Sequence, residues 1–373
     1  MKALVNIARI LVGLLFIFSG LVKAIDPLGL SYKMQEFFEA WSNDGFMKGL
    51  MNSLTNYSLS FAVFMITLEV VLGVSLLFGW QKRLTSWLLL LLTLFFAFLT
   101  SYVLFTGKIR ACGCFGDCIP LTPFQTFTKD IFLLVLIIFI LYSGRSIQPF
   151  FGRTFGSIVI ILSIILVSLL QWYVLKHLPL VDCLPYKKGN NILLLRNMPA
   201  NATPDKYDYV FIYEKGGETK EFKVATLPDS TWKFIERKQT LLQKGKNNTP
   251  QVTDFSLTTA SGNDTTEAIL NQGEKYYLLF LKEKKNEMNW LKSFYSFYAK
   301  VKGNYKVYIV TSQFKEVNQL FNNEREPLHL PIFICDATAI KTAARCLPTL
   351  YLMNGPVVVD KWSWADFDKA LGN

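Results

Sequence analysis

Five long apolar runs fill the first half of the chain: Ala3–Leu21, Leu59–Gly79, Leu84–Thr106, Asp130–Tyr142 and Ile158–Leu175. Four approach or exceed the ~18 residues that span a bilayer as helix. The fourth is shorter, and Phe124–Phe127 can extend it toward the preceding loop. Between the first two runs, Lys33–Trp41 places apolar residues at helical spacing. That predicts an amphipathic helix, lying either on the outer leaflet or against the bundle as a short soluble helix. The first run has a basic start at Lys2 and is interrupted by Arg9, and no small-x-small cleavage site follows. It reads as a retained helix.

After the fifth run the pattern changes. Pro179, Pro185, Lys187, Lys188 and Gly189 mark a boundary. Tyr209–Tyr213 and Glu221–Val224 flank a Gly216-Gly217 turn and predict a hairpin. From Glu274 strands alternate with helices. Strands are expected at Tyr276–Leu281, Tyr305–Val310, Pro331–Ile334, Thr349–Met353 and Val357–Lys361. Helices are expected at Asn289–Val301, Phe314–Phe321, Ala337–Arg345 and Ala365–Leu371. The expected fold class is an α-helical membrane bundle of four helices plus a tether helix, followed by an α/β domain. The expected divisions are 1–145 (bundle), 146–189 (fifth helix and linker), 190–250 (β-rich segment) and 251–373 (α/β domain).

Composition agrees with a membrane chain: 51% of the 373 residues are hydrophobic and 15% aromatic. The formal net charge of +11 is spread along the chain. No basic block with interleaved aromatics looks like a nucleic-acid face, so the expected partners are the lipid bilayer and an extracytoplasmic protein. Lys2 and Arg9, Lys82 and Arg83, and Arg145 and Arg153 sit at alternate ends of the apolar runs. The positive-inside rule puts them in the cytoplasm. The expected location is a bacterial inner membrane, with a cytoplasmic N-terminus and a periplasmic C-terminal domain, a compartment that oxidises thiols.

Three cysteines then stand out, in Cys112-Gly113-Cys114-Phe115-Gly116-Asp117-Cys118 between the third and fourth runs. A Cys112–Cys114 bond closes a small ring, and exposed, strained disulfides are the exchanging kind. Lys108 and Arg110 just upstream favour the thiolate, which is the attacking species. Cys118 is then a candidate resolving thiol. A static brace and a zinc site are the competing readings. No Cys-x-x-Cys is present and His177 is distant, so no metal is expected. Farther on, a Cys335–Cys346 disulfide competes with two buried free thiols, and Cys183 is a further candidate partner for the loop.

Ionisable residues within the runs are costly and usually paired. Glu69 is expected to pair with Arg9, either structurally or as part of a quinone or proton site beneath the loop. Lys23, Asp26, Lys129 and Asp130 fall at helix ends, where interfacial anchoring or mutual neutralisation is expected.

Two resemblances add to this reading. Cys346-Leu347-Pro348-Thr349 with the apolar run to Met353 and the Asn354-Gly355 turn resembles the thioredoxin superfamily, in its form with an extra strand–helix insertion. That implies a cis-proline at Pro348 and a partner-docking edge near Pro348 and Cys346. The stretch Leu281–Trp290, where such proteins carry Cys-x-x-Cys, has no cysteine. Arg9 with Gly13, the Phe18–Pro27 segment, Glu69 with Gly73, and the Cys-Gly-Cys-Phe-Gly loop resemble the DoxX/MauE family of redox-associated membrane proteins. The resemblance implies a role in disulfide formation on extracytoplasmic partners, with a quinone as the natural electron acceptor. Whether the chain is itself a thiol–disulfide oxidoreductase or a non-catalytic, membrane-anchored assembly or substrate-binding factor is left open by the residues alone.

Overall fold

A computed structural model of the chain describes residues 2–109, 116–143, 152–243, 245–282, 289–322 and 327–371. The bundle is built from α1 (Lys2–Ala24), α2 (Pro27–Asn43), α3 (Lys48–Asn56), α4 (Ser58–Phe78), α5 (Lys82–Thr106), α6 (Pro123–Tyr142) and α7 (Arg153–Lys176). Five of these, α1, α4, α5, α6 and α7, are long and apolar enough to cross a membrane.

Local chemistry fixes the helix ends. Asp26 caps α2 by accepting from Gly29 N at 3.0 Å, with Pro27 at the first helical position. Thr122 and Gln125 form a reciprocal capping box at the start of α6. α1 and α4 touch through glycine. A Cβ on Gly73 would meet Gly13 O at 2.9 Å and Ile17 N at 3.0 Å, so only glycine permits this approach. α2 packs on the bundle: Leu30, Met34, Phe37 and Phe38 join the core shared by α1, α4 and α5. Of the two readings of the amphipathic segment, the packed helix is the one observed.

Beyond α7 come α8 (Ile192–Arg196) and three strands, β1 (Lys206–Lys215), β2 (Glu218–Lys223) and β3 (Lys233–Gln243). They form an antiparallel sheet ordered β2-β1-β3. The predicted hairpin is present, and β3 extends it. The remaining elements are α9 (Thr266–Leu270), β4 (Lys275–Leu281), α10 (Asn289–Val301), β5 (Lys306–Thr311), α11 (Phe314–Asn322), β6 (Ile332–Ile334), α12 (Ala337–Ala343), β7 (Thr349–Asn354), β8 (Val357–Ser363) and a closing 3₁₀ helix, Trp364–Leu371.

The second sheet has the order β6-β5-β4-β7-β8. β4, β5 and β6 run parallel, while β7 is antiparallel to both β4 and β8. β4 reads as one continuous apolar run because both of its faces are covered. Tyr276, Leu278 and Phe280 face a core with Ile340 and Ala343 of α12. Tyr277, Leu279 and Leu281 face Phe294 of α10, Phe321 of α11 and Phe367 of the closing helix. Tyr186 and Ile192, from the stretch after α7, lie in the first of these cores. The chain is therefore a helical membrane bundle followed by an α/β domain.

Candidate functional site

Among the described residues, two ion pairs lie in the bundle interior. Lys23 Nζ donates to Glu69 Oε1 and Oε2 at 2.8 and 2.7 Å and to Ser19 Oγ at 3.1 Å. It also lies 4.5 Å from the centre of the Phe96 ring. Both side chains are at most 4% exposed. Lys129 Nζ is 2.6 Å from Asp130 Oδ1, and Thr100 Oγ1 donates to Asp130 Oδ2 at 3.1 Å. The two pairs line one cavity of about 20 Å³, together with Leu15, Phe16, Ser19, Thr93, Phe96 and Leu133.

The expected Arg9–Glu69 pair is corrected here. Arg9 Nε donates to Leu76 O at 2.7 Å, and Nη2 reaches Leu77 O, about two turns from Glu69 along α4. The cause is the register of α1 on α4: a Cβ on Gly20 would meet Glu69 Cβ at 3.6 Å, while Gly13 lies against Leu77 and Gly73. Lys23, three residues past Gly20, leans back toward Glu69 because Cβ vectors in a helix tilt toward its N-terminus, and Arg9, eleven residues before Gly20, leans the other way. Lys23 is also corrected from an interfacial anchor to a buried cation. The cavity beside Glu69 is about 20 Å³, and Arg9 is not among its walls.

The cysteine loop leaves α5 at the end of the bundle that faces the α/β domain. Cys112 and Cys114 lie outside the described residues. Cys118 is described, and it forms a disulfide with Cys183, Cα to Cα 4.8 Å. Cys118 is therefore paired rather than a free resolving thiol. Cys335 and Cys346 are both free and buried, which corrects the Cys335–Cys346 alternative. The Cys346 thiol is turned away, donating to Lys176 O at 3.3 Å and Leu175 O at 3.4 Å. Burial, with help from Asp366, pushes this thiol up to about 12, and burial pushes Cys335 up to about 11. Neither is a ready nucleophile.

Arg345, one residue before Cys346, joins the two halves. It is 8% exposed, lies 2.8 Å from Asp26 Oδ2, and also pairs with Asp117 next to Cys118. Its guanidinium is held up: burial opposes its charge, and Asp26 and Asp117 outweigh that. Burial pushes the Asp26 carboxyl up, against the pull of Arg345. Asp26 is thus part of an ion triad around the buried Arg345 rather than a simple anchor. His177 Nδ1, at the end of α7, is 2.7 Å from Asp366 Oδ2, and Lys341 Nζ donates to Gln35 Oε1 at 3.2 Å.

Beside these contacts a cleft of about 690 Å³ opens between the domain and the bundle. Tyr32, Trp172, Lys176, Trp290, Pro348 and Trp364 are among its walls. The Leu347–Pro348 peptide is cis. Pro348 and Cys346 line this cleft together with residues of α2 and α7. Among the described residues no group of His, Cys, Asp and Glu is arranged to hold a metal.

Fold and site together define a multi-pass membrane protein whose cysteine loop is bonded to the stretch that leads into its α/β domain. Residues 1–143 match the family model of methylamine utilisation protein MauE, so the membrane segment is MauE-like. Residues 207–244, the three-stranded sheet, match a domain of unknown function, DUF8463. Protein TlpB of Flavobacterium psychrophilum is 31% identical over 176 residues, covering 40% of this chain and 41% of that protein's length. No solved structure matches significantly.

Proposed function

We propose that the protein supports thiol–disulfide exchange on partners outside the cytoplasm of a bacterium, through Cys112 and Cys114. The observation that carries this reading is the Cys118–Cys183 disulfide. It removes Cys118 from the trio and leaves two cysteines separated by one glycine. It also ties their loop to the side of the bundle that carries the α/β domain. Lys2, Lys82, Arg83 and Arg153 lie toward the opposite end, which supports a cytoplasmic N-terminus.

The exchange balances as follows. A partner thiolate attacks the Cys112–Cys114 disulfide, forming a mixed disulfide and releasing one loop sulfur as thiolate. The partner's second thiol displaces the remaining loop sulfur. The partner loses two electrons and two protons, and the loop gains both. A membrane quinone is the natural acceptor that would take them from the loop. The strand order, the cis Pro348 and the absence of cysteine from 281–290 support reading the α/β domain as thioredoxin-like without its own dithiol. Its part is to hold the partner in the cleft near Pro348.

A second reading has one observation in its favour. Both free thiols of the domain are buried with raised values, as in a purely binding module. In that case the whole chain is a membrane-anchored assembly factor. The two readings separate on single-cysteine variants. Under exchange, the lone loop thiolate of Cys112→Ser or Cys114→Ser attacks the disulfide of an oxidised partner, releases one partner thiolate, and holds a mixed disulfide because no second loop thiol is left to displace the partner. Partner capture that survives loss of both cysteines, with no mixed disulfide in either single variant, favours the assembly reading.

A further inference from the structure

The two ends of the Cys118–Cys183 bond belong to different halves of the molecule. Cys118 lies in the loop between α5 and α6. Cys183 lies in the stretch after α7, which is built into the α/β domain. Tyr186 sits in the domain core, Gly189 N donates to Val358 O at 2.8 Å, and Val358 N donates to Asn190 O at 3.0 Å. Each cysteine is preceded by an aspartate, Asp117 and Asp182. Each aspartate pairs with a cation of the domain: Asp117 with Arg345, just after α12, and Asp182 with Lys361 of β8. The cations are held from other sides as well. Arg345 lies 2.8 Å from Asp26 and 5.6 Å from the centre of the Tyr32 ring, and Lys361 lies 5.6 Å from the centre of the Tyr351 ring. Their side chains are 8% and 10% exposed, whereas Cys118 and Cys183 are only half-buried. The sulfurs are thus placed by their neighbours more than they are hidden.

We infer that Arg345 and Lys361 are positioning residues for this bond: by fixing Asp117 and Asp182 on the docked domain, they keep Cys118–Cys183 closed against dithiols and out of exchange. The lever is effective concentration. A dithiol reduces the bond in two displacements. Its first thiolate attacks one sulfur, forms a mixed disulfide and releases the other sulfur as thiolate. Its second thiol then displaces the first sulfur. The dithiol becomes a disulfide, and Cys118 and Cys183 gain two electrons and two protons. Between the two displacements the released sulfur can instead attack the mixed disulfide and restore the bond. With both aspartates held, the cysteine Cα atoms stay 4.8 Å apart and this return is favoured. With either cation removed, one end drifts and reduction runs to completion. By linkage, the closed bond favours the docked domain by the same factor as docking favours the closed bond. The role goes beyond the exchange reading and is read at different sulfurs, so either can fail alone.

The test is a dithiothreitol titration of the full chain in lipid nanodiscs, with alkylation and mass spectrometry of the Cys118 and Cys183 peptides at each ratio of reduced to oxidised dithiothreitol. Arg345→Ala, Lys361→Met, Asp117→Asn and Asp182→Asn should each lower the ratio at half-reduction by about fivefold or more. The two Asn variants keep side-chain size and remove only the charge. Lys188→Ala removes the exposed Lys188–Asp360 pair of the same stretch and should leave the ratio unchanged. A role in fold stability alone would lower the thermal midpoint of the variants without moving the ratio. Half-reduction at the native ratio in both Asn variants, or an equal shift in Lys188→Ala, overturns the inference. In the reciprocal arm, the Cys118→Ser, Cys183→Ser double variant should lose amide protection at the start of α2 and over 345–349, and unchanged protection there overturns the linkage. If the ratio shifts as expected while Cys112 and Cys114 never change state, the positioning role stands and the exchange reading fails. If Cys112 and Cys114 switch and the ratio does not move, the reverse holds.

Discussion

Lys23 and Glu69 show how one buried pair depends on the register of two packed helices. Gly20 is level with Glu69, where an added Cβ would meet Glu69 Cβ at 3.6 Å, so Lys23 is three residues from that level and Arg9 eleven. The tilt of Cβ toward the helix N-terminus brings Lys23 the rest of the way. Apolar periodicity alone carries no such information, so Glu69 was legible as a buried acid and its partner was not. With both side chains at most 4% exposed, removing one partner is expected to cost about 3–5 kcal/mol. Glu69→Ala should lower the thermal midpoint of the full chain in lipid clearly, whereas the Lys23→Met, Glu69→Leu double variant should recover most of the loss. A double variant less stable than the single one would contradict a pair dominated by desolvation. At the same scale, Cys346 and Cys335 should resist alkylation at neutral pH until the domain is unfolded, since burial holds both thiols protonated. Rapid labelling of Cys346 in the native state would show that the thiol leaves its contact with the end of α7.

Elements were legible where burial is continuous or cleanly periodic. The spanning helices and the strands of the five-stranded sheet follow directly from their apolar runs. β3 was not visible because Lys233–Gln243 is exposed along its whole length, so no alternation of buried and exposed positions marks it. α3 was hidden for a similar reason, with Met51 its one buried residue. The disulfide between the loop and the linker could not be read from spacing, because 65 residues separate its ends. It makes a direct prediction. Cleaved anywhere between Cys118 and Cys183, the two fragments should remain joined on a non-reducing gel and part on reduction. Fragments that separate without reductant would remove the pairing on which the Cys112–Cys114 assignment rests.

The molecule as a whole is held across its two halves by the Arg345 triad, the His177–Asp366 contact and the Cys118–Cys183 bond. Asp366 has a definite pH signature. Although burial pushes its carboxyl up, hydrogen bonds from Lys369, His177 and Ser363 hold it below the ordinary value of 3.8. A depressed acid contributes stability that is complete above the ordinary value and is lost as pH falls through the folded one. Protection of the amides in the closing helix, Trp364–Leu371, corrected for the intrinsic pH dependence of exchange, should therefore be flat near neutrality and fall only on acidification below the usual carboxylate range. A local readout is needed because Asp26, whose value is raised, acts in the opposite sense. Arg345→Ala should leave the half-buried Asp26 and the more exposed Asp117 without their cation, and so raise exchange at the start of α2 and around residues 116–118.

The central claim is that Cys112 and Cys114 form the working pair. Differential alkylation and mass spectrometry of all six cysteines in native membranes, before and after challenge with a reduced dithiol peptide, tests it most directly. Exchange predicts that Cys112 and Cys114 pass together from disulfide to thiol while the peptide becomes oxidised, with Cys118–Cys183 intact and Cys335 and Cys346 unmodified throughout. Cys112 and Cys114 that keep one state under every challenge, with the peptide left reduced, would contradict it.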